Sequence, residues 1–295
     1  MNAQAAVALD RVATGAPSPG IGGDRAGRTL DVTIERHTGT IWCARTDDAM
    51  ASVTLAQLKE AKAIDEKISS GDYGSLRFKV LSSRQTGVFS LGGDLAFFAD
   101  CIETGNRAAL AEYAVLAARA VWCNVSGFGR RRVQSIAVVQ GEAQGGGFEA
   151  ALSCNTLIAE KGTRFGFPEP LFGMFPGMGG ELLLRSRIDA DLSHRMAQST
   201  NRYTAEFLHE IGVVDYLVAP GQGIAFAREL LAQITGAPDG VAARQLTERQ
   251  TALDRIAFSA LLESVESWTK CAFELTPRNL RSMRYILEAQ SRKLS

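Results

Sequence analysis

The stretch SIAVVQGEAQGGGFEAALSCNTLIAEKGTRFGFPEP, Ser135 to Pro170, decides how this chain folds. It opens on an apolar run, Ile136 to Val139, that reads as a buried strand. Three glycines follow, Gly145, Gly146 and Gly147, then a short helical segment from Phe148, then a second strand-like run, NTLIAE. Glu149 stands two places after the last of the glycines, among apolar neighbours, and Glu169 is flanked by Pro168 and Pro170. A carboxylate in apolar surroundings is costly unless it is paired or put to use, so both acids call for a reason.

The glycines admit three readings. The plainest is a tight turn between a strand and a closely packed helix. The second is a dinucleotide fingerprint, since Gly145-Gly146-Gly147-Phe148-Glu149-Ala150 satisfies G-x-G-x-x-A after a strand. Two spacings oppose it. The helix must fit between Phe148 and Cys154, too short for an ordinary crossover. The acid at the ribose position would be Glu160, 15 residues past Gly145, where about 20 are expected. The third reading is an oxyanion hole: a glycine amide beside a helix N-terminus is a donor with no side chain in its way. VFSLGGDLAFF, Val88 to Phe98, repeats the arrangement, a strand end, a Gly92-Gly93 turn and a helix start with Asp94 as its N-cap. Two such turns can present one amide each to the same carbonyl oxygen, as an enolate or tetrahedral oxyanion requires.

Outward from these turns, residues 1–27 are rich in Ala, Gly, Pro and Ser and read as a mobile tail. LDVTIERHTGTIWCARTD predicts two strands joined at Thr38-Gly39. TLAQLKEAKAIDEKISSG has helical spacing and stops at Gly71. Strands are expected at Phe78 to Ser82 and Val88 to Ser90, a helix from about Asp94 and a long helix over the segment that begins at Asn106. From Gly179 the pattern is almost wholly helical, with breaks at Asn201, Pro220 and Pro238. The expectation is an α/β core over 28–220 and a helical region over 221–295.

Composition narrows the function classes. At 295 residues, with 46% apolar and 22% charged, the chain is an ordinary globular protein. Lys plus Arg equal Asp plus Glu at 32 each, so nothing in the charge balance suggests an electrostatic footprint for nucleic acid or a membrane surface. The five cysteines form no CxxC pair and the three histidines no HExxH, which argues against a structural zinc and for a reducing compartment. No uninterrupted apolar run approaches the roughly 18 residues of a membrane span, and the N-terminus lacks a signal-peptide pattern, so a cytoplasmic protein is expected. Ser90 and Ser126 are outside any G-x-S-x-G, which disfavours a serine thioesterase.

Read together, VFSLGGDLAFF and VVQGEAQGGGFEAALSCNTLIAEKGTRFGFPEPLFGMFPGMGG resemble the crotonase superfamily of enoyl-CoA hydratases and isomerases. LGGDLAFF, GGGFEAALSC and PEPLFGMFPGMG are most similar to the bacterial diffusible signal factor synthases. The resemblance implies a crotonase-like spiral of ββα units with a helical C-terminal region, no cofactor, and dehydration of a 3-hydroxyacyl thioester followed by its hydrolysis to a cis-2-unsaturated acid. It implies an acyl-carrier-protein or acyl-CoA substrate, a homotrimer whose C-terminal helices cover the acyl pocket, and, in some relatives, a regulatory sensor protein.

Residue by residue, Glu149 matches the acid after the glycine triplet and Glu169 the acid of the P-E motif. Gly146 and Leu91 match the two oxyanion donors. Leu91 stands where hydratases commonly have alanine, so its side chain is expected to narrow the pocket. Glu169 is assigned to the C2 proton and Glu149 to the hydroxyl or water, roles that can be exchanged. Met178 and Trp268 read by type as core residues; the resemblance adds a share in lining the substrate pocket, with Gly92, Gly145, Gly147 and Phe172. MFPGMGGELLL reads as a helix entry rather than an anion site. Arg130-Arg131-Arg132 reads as a solvated loop, with carrier binding as the alternative. An ordinary enoyl-CoA hydratase needs the same acids and donors, and retention of both acids argues against a scaffold without catalysis.

Overall fold

A computed structural model describes residues 29–294; the expected tail over 1–27 lies outside the described residues. β1 (Leu30–Glu35) and β2 (Thr40–Arg45) form the antiparallel hairpin turning at Thr38-Gly39. α1 (Leu55–Ser70) begins at a capping box between Thr54 and Gln57 and ends at Gly71 in the left-handed region, φ 87°. After β3 (Phe78–Ser83) and β4 (Gly87–Ser90) comes α2 (Leu95–Glu103), where the Asp94 side chain accepts from the Phe97 amide as an N-cap. α3 (Arg107–Val125) follows.

β5 (Gln134–Val139) is the strand read in the deciding stretch, but a second strand, β6 (Gly141–Gln144), separates it from the glycines. Then come α4 (Gly146–Leu152), β7 (Thr156–Glu160) and β8 (Arg164–Gly166). The rest comprises α5 (Gly180–Arg185), α6 (Ala190–Ala197), β9 (Tyr203–Thr204), α7 (Ala205–Glu210), β10 (Tyr216–Val218), α8 (Gly223–Gly236), α9 (Val241–Leu253), α10 (Phe258–Ala272) and α11 (Pro277–Leu294). β9 and β10 correct the expectation of a nearly all-helical stretch after Gly179; two or three residues are too few to show a strand's period.

Six strands form one sheet in the order β1-β2-β3-β5-β7-β10, parallel except for the β1–β2 hairpin. The other sheet, β4-β6-β8-β9, positions the site. β4 pairs parallel with β6, Gly87 opposite Gly141, and β6 pairs parallel with β8, Gln144 opposite Gly166. Parallel neighbours end at the same edge. The Leu91–Gly93 turn after β4, the Gly145–Gly147 turn after β6 and the Phe167-Pro168-Glu169 segment after β8 therefore emerge side by side, at the carboxyl ends where α/β sheets place their ligands.

Phe148, Phe165 and Phe167 pack as a buried aromatic group behind this edge, with Phe148 and Phe167 stacked at 5.0 Å. A second core lies among α2, α3, α10 and α11, centred on Phe98, Tyr113 and Trp268. By length and composition α3 is apolar enough to cross a membrane, which a search for uninterrupted runs missed because Glu112 and Arg119 punctuate it. It packs against α1 and α10 with Leu110, Ala118, Val121 and Val125 buried.

Candidate active site

One cleft opens at this edge. Of the residues expected from sequence, Glu149, Glu169, Gly92, Gly146, Gly147, Met178 and Trp268 line it, joined by Gly93, Phe98, Tyr113 and Val265. The two glycine turns touch. Gly92 has φ +87°, and a Cβ on it would stand 2.8 Å from the Gln144 carbonyl oxygen and 3.1 Å from the Gly146 nitrogen, so no side chain fits between the turns. The Gly146 amide, in the first turn of α4, has no acceptor among the described residues, as expected for a helix N-terminus.

Leu91 departs from expectation. Its amide donates to the Ala51 carbonyl at 2.9 Å, continuing the chain's pairing beyond β4, and its side chain is buried with Ala51 and Val88 outside the cleft. The Gly92 amide reaches Ser90 Oγ at 3.3 Å, whereas the Gly93 amide has no acceptor among the described residues. A Cβ built on Gly146 would lie 3.8 Å from the Gly93 nitrogen. The Gly146 and Gly93 amides are thus two neighbouring donors at the cleft with no acceptor among the described residues.

Phe172 also departs. It is 2% exposed, inside the core shared with Met174 and Met283, and does not line the cleft. Gly145 lies behind the lining with φ +51°, and a Cβ there would overlap Glu169 Oε1. Its bareness makes room for the acid rather than for substrate.

Glu149 is 1% exposed. Its Oε1 accepts from the Met178 amide at 2.8 Å and the Gly180 amide at 2.9 Å. The turn entering α5 was read as a helix entry only; it also holds an anion, and that anion is the protein's own. Burial, then the charge of Glu169, push the Glu149 carboxyl up to about 8 against the lowering effect of those two amides. Glu169 is half-buried, but its Oε2 is sealed from solvent without a partner, and burial raises its carboxyl to about 7. Near neutral pH the pair retains a proton, so one acid and one base share the cleft.

Contacts bear on two other readings. Glu160 accepts from the Gly221 and Gly223 amides at 2.8 and 3.0 Å, where α8 starts, so it is no ribose acid. Arg131 donates to the Ser69 and Ser70 carbonyls at the end of α1, and Arg132 pairs with Asp254, which gives this loop a structural task.

The enoyl-CoA hydratase/isomerase family model matches residues 72–260. The chain belongs to this family. Carnitinyl-CoA dehydratase of Salmonella arizonae is 30% identical over 234 residues, covering 77% of this chain and 79% of that protein. The peroxisomal fatty acid beta-oxidation multifunctional protein AIM1 of Arabidopsis thaliana is 31% identical over 143 residues, and the chain spans only 19% of its length. Among solved structures, Pseudomonas aeruginosa DspI matches with a TM-score of 0.65 at 25% identity, covering 84% of this chain and 93% of that one. Human mitochondrial delta3-delta2-enoyl-CoA isomerase shares the fold, with a TM-score of 0.74 at 21% identity over 90% and 99% of the two chains.

Proposed function

We propose that this crotonase is a diffusible signal factor synthase, acting on a 3-hydroxyacyl thioester of an acyl-carrier protein to release a cis-2-unsaturated fatty acid. The observation that carries the acyl-thioester chemistry is a pair of carboxyl groups, at about 8 and about 7, in one apolar cleft beside free glycine amides. The thioester oxygen accepts from the Gly146 and Gly93 amides. Glu169, the lower of the pair, is the carboxylate that takes the C2 proton. Glu149, the higher, gives its proton to the departing 3-hydroxyl, and water leaves.

Dehydration leaves Glu169 protonated and Glu149 ionised. That state suits hydrolysis. Glu149 takes a proton from a water as its oxygen bonds to the thioester carbon. The same amides hold the tetrahedral oxyanion. The C–S bond breaks as Glu169 protonates the thiolate, and the dyad returns to its starting state. Sequence similarity to the signal synthases across LGGDLAFF and GGGFEAALSC supports the second step and the carrier-protein substrate. A cytoplasmic homotrimer, and restraint by a sensor protein, belong to the same reading.

The carnitinyl-CoA dehydratase relative favours a second reading, a hydratase that releases its product still as a thioester. Incubation of the purified protein with 3-hydroxydodecanoyl carrier protein, followed by mass spectrometry, separates the two. Free 2-enoic acid is expected; accumulation of the 2-enoyl thioester alone would overturn the synthase reading and leave the hydratase.

A further inference from the structure

We propose that a buried ion pair, Lys79–Asp65, forms the floor of the acyl-binding cleft and sets how long a chain the enzyme accepts, an inference that rests on the acyl-thioester reading above. The cleft that holds the two glutamates does not stop at Trp268. It continues between α1 and α3 over the sheet, lined by Leu81, Ile64, Ala117, Ala120 and Val121, and reaches Lys79, Asp65 and Asn124. α3 gives the direction. Tyr113 lines the cleft beside the oxyanion turn, its hydroxyl bonded to the Val53 carbonyl next to Gly92. Asn124 lines it eleven residues further on, roughly 16 Å along the helix. β2 and β3 agree: Arg45 and Gln57 line the near end, and Lys79 lies four residues before Ser83, the partner of Arg45 in the sheet, roughly 13 Å away.

The far end differs in character from the wall leading to it. Lys79 sits on a central parallel strand, where both faces are covered and an apolar residue is the rule. Its ammonium meets Asp65 Oδ1 at 2.5 Å and lies 5.0 Å from the centre of the Phe128 ring, and the two side chains are 6% and 4% exposed. Asp65 Oδ2 and Asn124 Oδ1 are buried with no hydrogen-bond partner. A methyl terminus arriving there would press an apolar group against these unpartnered oxygens and strip a charged pair of its remaining solvation, which is strongly unfavourable. Each methylene added on the apolar wall favours binding; the first one that reaches the floor reverses the trend.

The alternative course for the tail is the arm of the cleft at Phe98, Val265 and Trp268. Two variants distinguish the courses. Lys79→Met combined with Asp65→Leu removes both charges together, which buried pairs tolerate far better than loss of one. Ala120→Leu fills the wall above the floor. For each, kcat/KM is measured across 3-hydroxyacyl thioesters of increasing length, and binding of free 2-enoic acids of the same lengths is read by thermal shift.

In the unmodified protein kcat/KM should rise about fourfold per methylene and then fall abruptly. The double variant should carry the rise to longer chains, and Ala120→Leu should end it at shorter ones. If the double variant does not fold, Ala120→Leu alone decides. An unchanged length profile in active variants, with the profile moved instead by Trp268→Ala, overturns the inference and leaves the functional reading standing. Failure of the unmodified protein to turn over any acyl thioester, with no thermal shift by any acid, overturns both.

Discussion

Glu149→Gln is expected to slow turnover severely and, above neutral pH, to make the protein more stable. The folded chain holds this carboxyl at about 8 where an unhindered one titrates at 4.5. Its folded form therefore binds the proton more tightly, by roughly 5 kcal/mol at 1.36 kcal/mol per pH unit. Below about pH 4.5 folded and unfolded chains are both protonated and the stabilisation is fully present. It is lost as pH climbs through the folded value, because the native state must then ionise a buried group or unfold. Between pH 5 and pH 8 the loss comes to about 3 kcal/mol, part of it reflecting repulsion from Glu169.

Glutamine keeps an oxygen for the Met178 and Gly180 amides and has nothing to ionise. Melting followed by circular dichroism should show the variant and the parent alike near pH 5. The variant should melt about 5–10 °C higher at pH 8. Turnover should fall by about 10²–10⁴-fold, the usual contribution of a general acid. A parent whose stability does not change between pH 5 and pH 8, or a variant with the same pH dependence, would refute the burial argument.

The rate should follow a bell in pH with limbs near 7 and 8, since catalysis needs one protonated and one ionised glutamate; a level profile from pH 6 to 9 speaks against the shared proton. Gly146→Val should fold, because its new Cβ crowds only the flexible end of Met178, at 2.8 Å, and keeps ordinary contact with Gly93 at 3.8 Å, yet lower both dehydration and thioester cleavage by at least about a hundredfold; loss of one activity alone would separate the two sites. Lys79→Ala should destabilise the chain by about 3–5 kcal/mol in urea unfolding, by leaving Asp65 buried and unpaired, and a loss below about 1 kcal/mol would show the pair to be solvated.

Much of the site was legible because its chemistry needs rare local patterns. A bare amide at a strand end requires glycine, and an acid among phenylalanines is conspicuous. The Gly71 stop of α1 and the Asp94 cap of α2 are legible for the same reason: each acts on its own helix. What stayed hidden depends on distant partners. Leu91 precedes the glycines as an oxyanion donor should, but its amide is taken by Ala51, forty residues earlier in the chain. The hold of Met178 and Gly180 on Glu149 spans about thirty residues, and nothing local in PGMGG distinguishes it from a plain helix entry. The resemblance implies Phe172 as pocket lining, whereas packing among α2, α10 and α11 takes it inward. Strands as short as β6, β8, β9 and β10 exist through their sheet neighbours and leave no periodic trace.

The parallel pairing that brings three strand ends to one edge also governs how the chain reaches its native state. β3 must find β5 across α2 and α3, and β10 must find β7 across everything from β8 to α7. Such distant pairings demand large loop closures before they return any stabilisation, so folding is slow and strand edges stay open meanwhile. The cleft is complete only when β4, β6 and β8 lie together, which makes catalytic competence a late event in folding. Refolding yield should therefore improve at low protein concentration, where open edges meet one another less often.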